Sequence, residues 1–414
     1  MSKRGKQKGS RKVHVQCNVC SKSVQKCKLR LHIRKFHEEF CPVSCSACEA
    51  KFVEQRDLDI HDINGCSPRR KQIDTSFENV DFSKRSAVNK FIAKNLQLDK
   101  ASRKAIFRVL NLLCKHLQHN LRFSISKLVK GGSVGKGTAV KDKADIDCVI
   151  FLNDVKSMEK HKLNLQETKD RLESCLKHSP YKDQITFGKQ TPFAVKFRLD
   201  LSREFDIDLL PTFTTESPEK PEKLYDEMIG CTRKERGYYS AHFVSLQVKF
   251  VKGQPALVKD LIRLVKYWRK TCIEDKSDGR LPSSYPLELI TIYCWEEAGE
   301  PNPFDIRLGF KAVLQQLVDY CNINVRWYNY YSEALADRGI EGMTMSDKRT
   351  CLAGSDSTDE DDEIRPFVLD PANPTNNVCS AGDAEGWKTL AGVAKMTLER
   401  QPLKDVIVRR NWPK

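Results

Sequence analysis

Residues 130–152, KGGSVGKGTAVKDKADIDCVIFL, carry the pattern on which the fold turns. Gly131 and Gly132 let the backbone approach a phosphate, and Ser133 can hydrogen-bond to it. Twelve residues after Ser133, Asp145-Ile146-Asp147 runs into Cys148–Leu152, a short all-apolar stretch with the pattern of a buried strand. Positions two apart on a strand share a face, so both carboxylates can hold a pair of Mg²⁺ ions. One ion then activates an attacking hydroxyl while the other steadies a triphosphate. Asp-x-Asp alone is usually a turn or a solvated pair, and a Gly-Gly-Ser turn alone is equally uninformative; their junction with a buried strand carries the signal. Gly-Lys-Gly-Thr lacks the spacing of a P-loop.

Working outward, helical periodicity covers Val88–Leu96 and Ala105–Leu117, and the apolar Ile125–Val129 leads into the glycines. Phe193–Leu199 and Phe205–Leu210 read as further strands. A two-metal site needs a third carboxylate, and FDIDLLP at 205–211 offers Asp206 and Asp208 on one strand face; spacing does not choose between them. Beyond Ala256 the pattern is mostly helical, including Leu257–Lys270 and Leu287–Glu297. In LVKDLIRLVKYWRK, residues 257–270, Val258, Leu261, Ile262, Val265 and Trp268 form an apolar face. Lys259, Arg263, Lys266 and Lys270 form a basic stripe, usually a solvated face but also what a triphosphate or a nucleic-acid backbone requires. The acidic SDSTDEDDE at 355–363 reads as a solvated loop.

The N-terminal head has different chemistry. Cys45 and Cys48, followed by Phe52, Leu58, His61 and Cys66, give a C-x2-C pair on a hairpin and a second ligand pair on a short helix. Phe52 and Leu58 supply the small core that metal-driven folding needs. Cys17, Cys20, His32 and His37 form a first unit, with Val24 and Leu29 as core and a loop one residue shorter than usual. Cys27 and Cys41 are unassigned, and Cys41 is an alternative ligand for the first unit. Two structural Zn²⁺ sites are expected, each in a small ββα finger. The fingers by themselves suit duplex nucleic acid or a protein.

The 414 residues are 40% hydrophobic, enough for a sizeable core, and carry a net charge of +16. Residues 1–71 hold 17 Lys/Arg against 7 Asp/Glu, so most of that excess sits in the head and favours a polyanion partner, RNA or DNA, over a membrane. Seven of the 16 cysteines lie in residues 17–66, mostly at ligand spacing, and the rest are scattered, as in a reducing compartment. No apolar run suits a bilayer, and the basic start lacks the apolar stretch of a signal peptide. A cytoplasmic, or nuclear, protein without membrane attachment is expected. The domain reading is a basic tail at 1–14, two fingers at 15–67, a polar linker at 68–83, a catalytic domain at 84–255 and a helical domain at 256–414.

Four blocks together carry a family resemblance: KGGSVGKGT…ADIDCVIFL, EFDIDLLPTF, LVKDLIRLVKYW with LPSSYPLELITIYCWE, and RPFVLDPANPTNNV followed by GW. From about Val88 to Trp387 the chain resembles the 2′-5′-oligoadenylate synthetases and the related animal cyclic-dinucleotide synthases. The resemblance implies an α/β nucleotidyltransferase fold, polymerase-beta-like, with a mixed sheet, a C-terminal helical domain and a cleft between them. It implies that Asp145, Asp147 and Asp208 are the metal triad, with two Mg²⁺ ions. Ser133 and Lys266 then grip donor phosphates, beside the close backbone at Gly132, while Arg263 contacts a base and Tyr285 stacks on one. It implies ATP, or other nucleoside triphosphates, as substrate, double-stranded RNA or other nucleic acid as a partner, and a place in nucleic-acid sensing or innate antiviral immunity. Ser284 stands where the synthetases carry Gln, Leu257 where their basic run has Lys, and Pro402-Leu403-Lys404 where a Cys-Phe-Lys sequence is linked with oligomerisation. The favoured reaction is 2′-5′-oligoadenylate synthesis; the rivals are cyclic-dinucleotide synthesis, a non-catalytic nucleic-acid sensor, and a zinc-finger protein that extends RNA ends.

Overall fold

The computed structural model describes residues 14–25, 29–45, 51–55, 57–58, 77–121, 123–141, 146–189, 191–201, 204–215, 221–273, 279–343, 365–408 and 412. Asp145, Cys48, His61, Cys66, the linker residues 68–76 and the acidic segment 355–363 lie outside them.

In the head, β1 (His14–Gln16) and β2 (Ser23–Gln25) pair as a hairpin followed by α1 (Leu29–Phe36), a ββα unit. A second hairpin joins β3 (Val43–Ser44) to β4 (Lys51–Phe52). Cys17, Ile33 and Cys41 are buried together, with Val24 and Leu29 packed against them; Phe52 is buried beside Cys45, with Leu58 against it.

The body opens with α2 (Arg85–Phe91) and α3 (Lys100–Asn120), the latter capped where Asp99 accepts the Ser102 N–H at 2.7 Å. Then follow β5 (Ile125–Lys130), α4 (Gly132–Lys136), β6 (Ile146–Leu152), α5 (Met158–Lys177), β7 (Ile185–Phe187), β8 (Val195–Asp200) and β9 (Glu204–Phe213). The five body strands form one sheet in the order β5-β6-β9-β8-β7, in which β6 and β9 run parallel and every other pair is antiparallel. Every residue of β6 except Asp147 is buried, as expected of a central strand, so the polar position stands out. The apolar faces of α3 and α5 (Ile106, Val109, Leu113, Leu172, Leu176) share one core with Ile150, Phe197 and Ile207 of the sheet.

The helical half comprises α6 (Glu222–Ile229), α7 (Arg233–Arg236), α8 (Val244–Gly253), α9 (Ala256–Cys272), α10 (Ser284–Glu297), α11 (Ile306–Val318), α12 (Glu333–Glu341) and α13 (Ala384–Leu398). Between them lie β10 (Asn324–Val325), β11 (Phe367–Asp370) and β12 (Asn373–Asn377), a small three-stranded sheet. Trp268, Phe310 and Trp387 are fully buried here, and Trp268 Nε1 donates to Thr397 Oγ1 at 3.0 Å. Each such side chain contributes about 1.5–3 kcal/mol through area removed from water.

Two features depart from the domain reading. Phe77, Val80 and Phe82, inside the stretch read as linker, are buried, and the Phe82 ring stacks on Phe310 with centroids 5.4 Å apart. Residues 77–83 are therefore part of the body: three large apolar side chains so close together gain more buried than in a solvated tether. Val88, Ile92 and Leu96 likewise join the core of α9 and α10 rather than that of the sheet, so the chain enters the helical half before it builds the sheet.

Candidate active site

The glycine stretch reads as a turn and is in fact the short helix α4, folded back onto β6. The Gly131 N–H donates to the Asp147 carbonyl at 2.7 Å, which pins the start of α4 to the strand. Gly132 has φ +51°, and a Cβ there would collide with the Asp147 carboxylate. Glycine at 132 is thus a requirement of the turn and of its close approach to an acid.

The parallel register of β6 and β9 sets Asp147 opposite Asp208. Neighbouring strands lie about 4.8 Å apart, so two carboxylates share one face at close quarters. Asp208 faces Lys196 of β8 on its other side and forms an ion pair with it. Asp206 lies further along the same face, more exposed, and pairs with Arg198 at 2.9 Å. Two acids side by side on adjacent strands make a donor set suited to a hard divalent cation, and Asp147 of the pair lines a cleft.

That cleft, of about 380 Å³, is lined by Gly132, Ser133, Lys136, Asp147, Lys266 and Tyr285. Its floor is a residue the sequence reading passed over. Glu288 of α10 is 2% exposed and accepts from Lys266 at 2.9 Å, Lys136 at 3.1 Å and the Thr138 hydroxyl at 2.8 Å. Burial pushes its carboxyl up, but the two lysines outweigh burial and hold it at about 2. Glu288 thereby gathers two cations, Lys136 at the end of α4 and Lys266 of α9, around one carboxylate, so one positive charge of the trio is left over. The Tyr285 hydroxyl donates to Asp370 at 3.0 Å, and the Lys136 ammonium stands 3.6 Å from the centroid of the Tyr285 ring. One face of that ring is therefore engaged within the protein. Burial pushes the fully buried Asp370 carboxyl up, although the Ala372 N–H, Gln247 and Tyr285 all donate to it.

Arg263 does not line this cleft. Its guanidinium donates to the carbonyls of Ala139, at 3.2 Å, and Gly137, and pairs with Asp260 at 2.5 Å. It braces the backbone that leaves α4 and borders a separate cavity on the other side.

In the head, the ligand atoms of Cys17, Cys20, His32 and His37 all lie within 4.8 Å of one another, with Cys20 Sγ 3.3 Å from His32 Nε2. His37 Nε2 is buried without a hydrogen-bond partner, the condition a metal ion relieves. Burial raises the Cys17 thiol, but donors from Cys20 and Val19 outweigh it and hold it below its usual range. Two sulfurs and two imidazoles at this separation fit tetrahedral zinc. Cys41 packs in the same small core but is not in the cluster.

A mixed sheet with a glycine turn at the edge of a paired-acid strand, closed by a helical half, is a nucleotidyltransferase architecture. Comparison with known families agrees: residues 113–204 match the model for a nucleotidyltransferase domain, and residues 217–412 match that for 2′-5′-oligoadenylate synthetase 1, domain 2, C-terminus. The 2′-5′-oligoadenylate synthase 1A of Rattus norvegicus is 32% identical over 342 residues, 75% of this chain and 89% of the relative. The 2′-5′-oligoadenylate synthase 2 of Homo sapiens is 33% identical over 343 residues, 77% of this chain and 45% of the relative. The chain belongs to the 2′-5′-oligoadenylate synthase family. Among solved structures, the Cid1 poly(U) polymerase aligns at 14% identity with a TM-score of 0.48, over 80% of this chain and 98% of that one.

Proposed function

We propose that the chain joins ATP into 2′-5′-linked oligoadenylates with release of pyrophosphate. The observation that carries this reading is the meeting of α4, Asp147 and Lys266 around one cleft, with Asp208 opposite Asp147 on the next strand, in a chain of this family. Asp145, Asp147 and Asp208 hold two Mg²⁺ ions, which when bound lower the pKa of the attacking hydroxyl and neutralise the triphosphate. Gly132 lets the backbone come close to phosphate, and Ser133 donates to it. Lys266 and Lys136, oriented by Glu288, hold the remaining phosphate charge, and their positions are set before substrate arrives. Tyr285 offers its remaining ring face to a base. Arg263 holds the backbone at 137–139 and so the exit of α4.

The test is incubation of the purified protein with ATP or mixed triphosphates, with and without duplex RNA, followed by product mass and linkage analysis. A ladder of linear 2′-5′ adenylates with pyrophosphate is expected; a cyclic dinucleotide, or no nucleotide product under any condition, would overturn it. Duplex RNA is the proposed activator.

The third carboxylate gives a sharper contrast. Asp208→Asn should be as damaging as loss of Asp147, whereas Asp206→Asn, which disturbs a solvent-exposed pair with Arg198, should keep most turnover. Initial rates of pyrophosphate release on the two variants measure this, and the reverse ranking sinks the assignment.

In the head, Cys17, Cys20, His32 and His37 hold one zinc, and Cys45, Cys48, His61 and Cys66 a second. Zinc there supplies structure, since so small a core folds only with metal. Chelation should unfold the head while the body keeps its melting transition, followed by circular dichroism and zinc release. A head whose signal is unchanged by removal of all metal refutes a structural role.

A further inference from the structure

The wall that α4 presents to the active-site cleft has a second side. There Val134 and Gly137 border another cavity, of about 340 Å³, closed by Ile106 and Phe107 of α3 and by Lys259 of α9. The cavity has two kinds of surface. Leu98, Ile106, Phe107 and Val134 form an apolar part, with Phe107 47% exposed. Arg103, Lys259 and Arg263 supply three cations against one carboxylate, Asp260, which already accepts from Gln97 at 2.8 Å and from Arg263. The cations are crowded: burial, then the charges of Arg263 and Lys252, lower the proton affinity of Lys259. Burial lowers that of Arg263 in spite of Asp260, and Arg103 adds to the effect. A dianionic group entering here meets uncompensated positive charge, and a flat ring beside it meets an aromatic and aliphatic wall. The volume holds one such molecule.

The cavity is tied to catalysis by Arg263. Its bonds to the Gly137 and Ala139 carbonyls hold the stretch whose Thr138 reaches Glu288, the anchor of the two phosphate-holding lysines. A phosphate in the cavity competes for the guanidinium and loosens that stretch.

We propose that this second cavity binds a nucleoside phosphate and that its occupant lowers turnover through α4. The test titrates adenosine 5′-monophosphate into the full chain by calorimetry, for the wild type and for two variants: Ala256→Phe, which fills the cavity, and Arg103→Ala, which removes a cation. The wild type should bind at two sites. In each variant the second site should be lost or weakened about tenfold, as for one charged hydrogen bond. At saturating ATP, the monophosphate should slow pyrophosphate release roughly fivefold in the wild type and leave both variants unaffected. A single site in the wild type, or equal inhibition in all three proteins, overturns the proposal. So does a loss of duplex-RNA affinity in the variants with monophosphate stoichiometry intact, which would assign these cations to a nucleic-acid backbone. Calorimetry needs no turnover, so failure here is distinguishable from failure of the ATP-joining reading.

Discussion

Asp147→Asn should leave a folded protein whose turnover falls by roughly a thousandfold, several kcal/mol of transition-state stabilisation. The side chain is nearly isosteric, so the strand and the close approach of Gly132 can survive; what is lost is a charged oxygen beside Asp208 on the neighbouring strand. Asp145→Asn should do the same. The measurement is single-turnover pyrophosphate release at saturating Mg²⁺ and ATP, with thermal melting as a control for folding. A loss recovered by raising Mg²⁺ alone would show that the carboxylate contributes affinity for the metal and nothing more. Near-normal turnover in a folded variant would falsify the two-metal site.

The parts of this site legible in the sequence are those encoded locally. The alternation of Asp147 with buried neighbours, the apolar run to Leu152 and the glycines at 131 and 132 each follow from a dihedral or a period within a few residues. The register of β9 against β6 is not local. Asp206 and Asp208 look alike until the parallel pairing sets one of them beside Asp147. The basic stripe of α9 is a further case. Its period correctly gives one helical face, but that face runs past two cavities, so Lys259 and Arg263 border one while Lys266 and Lys270 border the other.

Glu288 and Lys136 escape a local reading for another reason: they lie about 150 residues apart in sequence. A signal was nevertheless present. Within Leu287–Cys294 the glutamate is the one ionisable carboxylate in a run otherwise apolar but for Thr291 and Tyr293, and α10 is buried nearly all round. A carboxylate in such a helix is costly unless cations meet it, which makes it a residue to look for rather than to pass over. Phe77 and Phe82 are hidden similarly, because both pack on Phe310, far along the chain.

Replacing Glu288 with Leu should therefore destabilise the body by about 3–5 kcal/mol, the usual result of removing one partner from a buried ion pair. Lys136 and Lys266 would be left with side chains 8% and 11% exposed and without their shared counter-charge, while the Thr138 hydroxyl would lose its acceptor. The same pairing fixes an acid limb. The Glu288 carboxyl is held at about 2 in the folded protein against an ordinary value of 4.5, so its contribution is present above about pH 4.5 and lost as pH falls toward about 2. Glu288→Gln keeps the shape without the charge, and its stability should depend less on pH in that window than the wild type's. Denaturant unfolding at several pH values between 2 and 7 measures both effects. A Leu variant within about 1 kcal/mol of the wild type, with an unchanged KM for ATP, would show that the two lysines do not need their anchor.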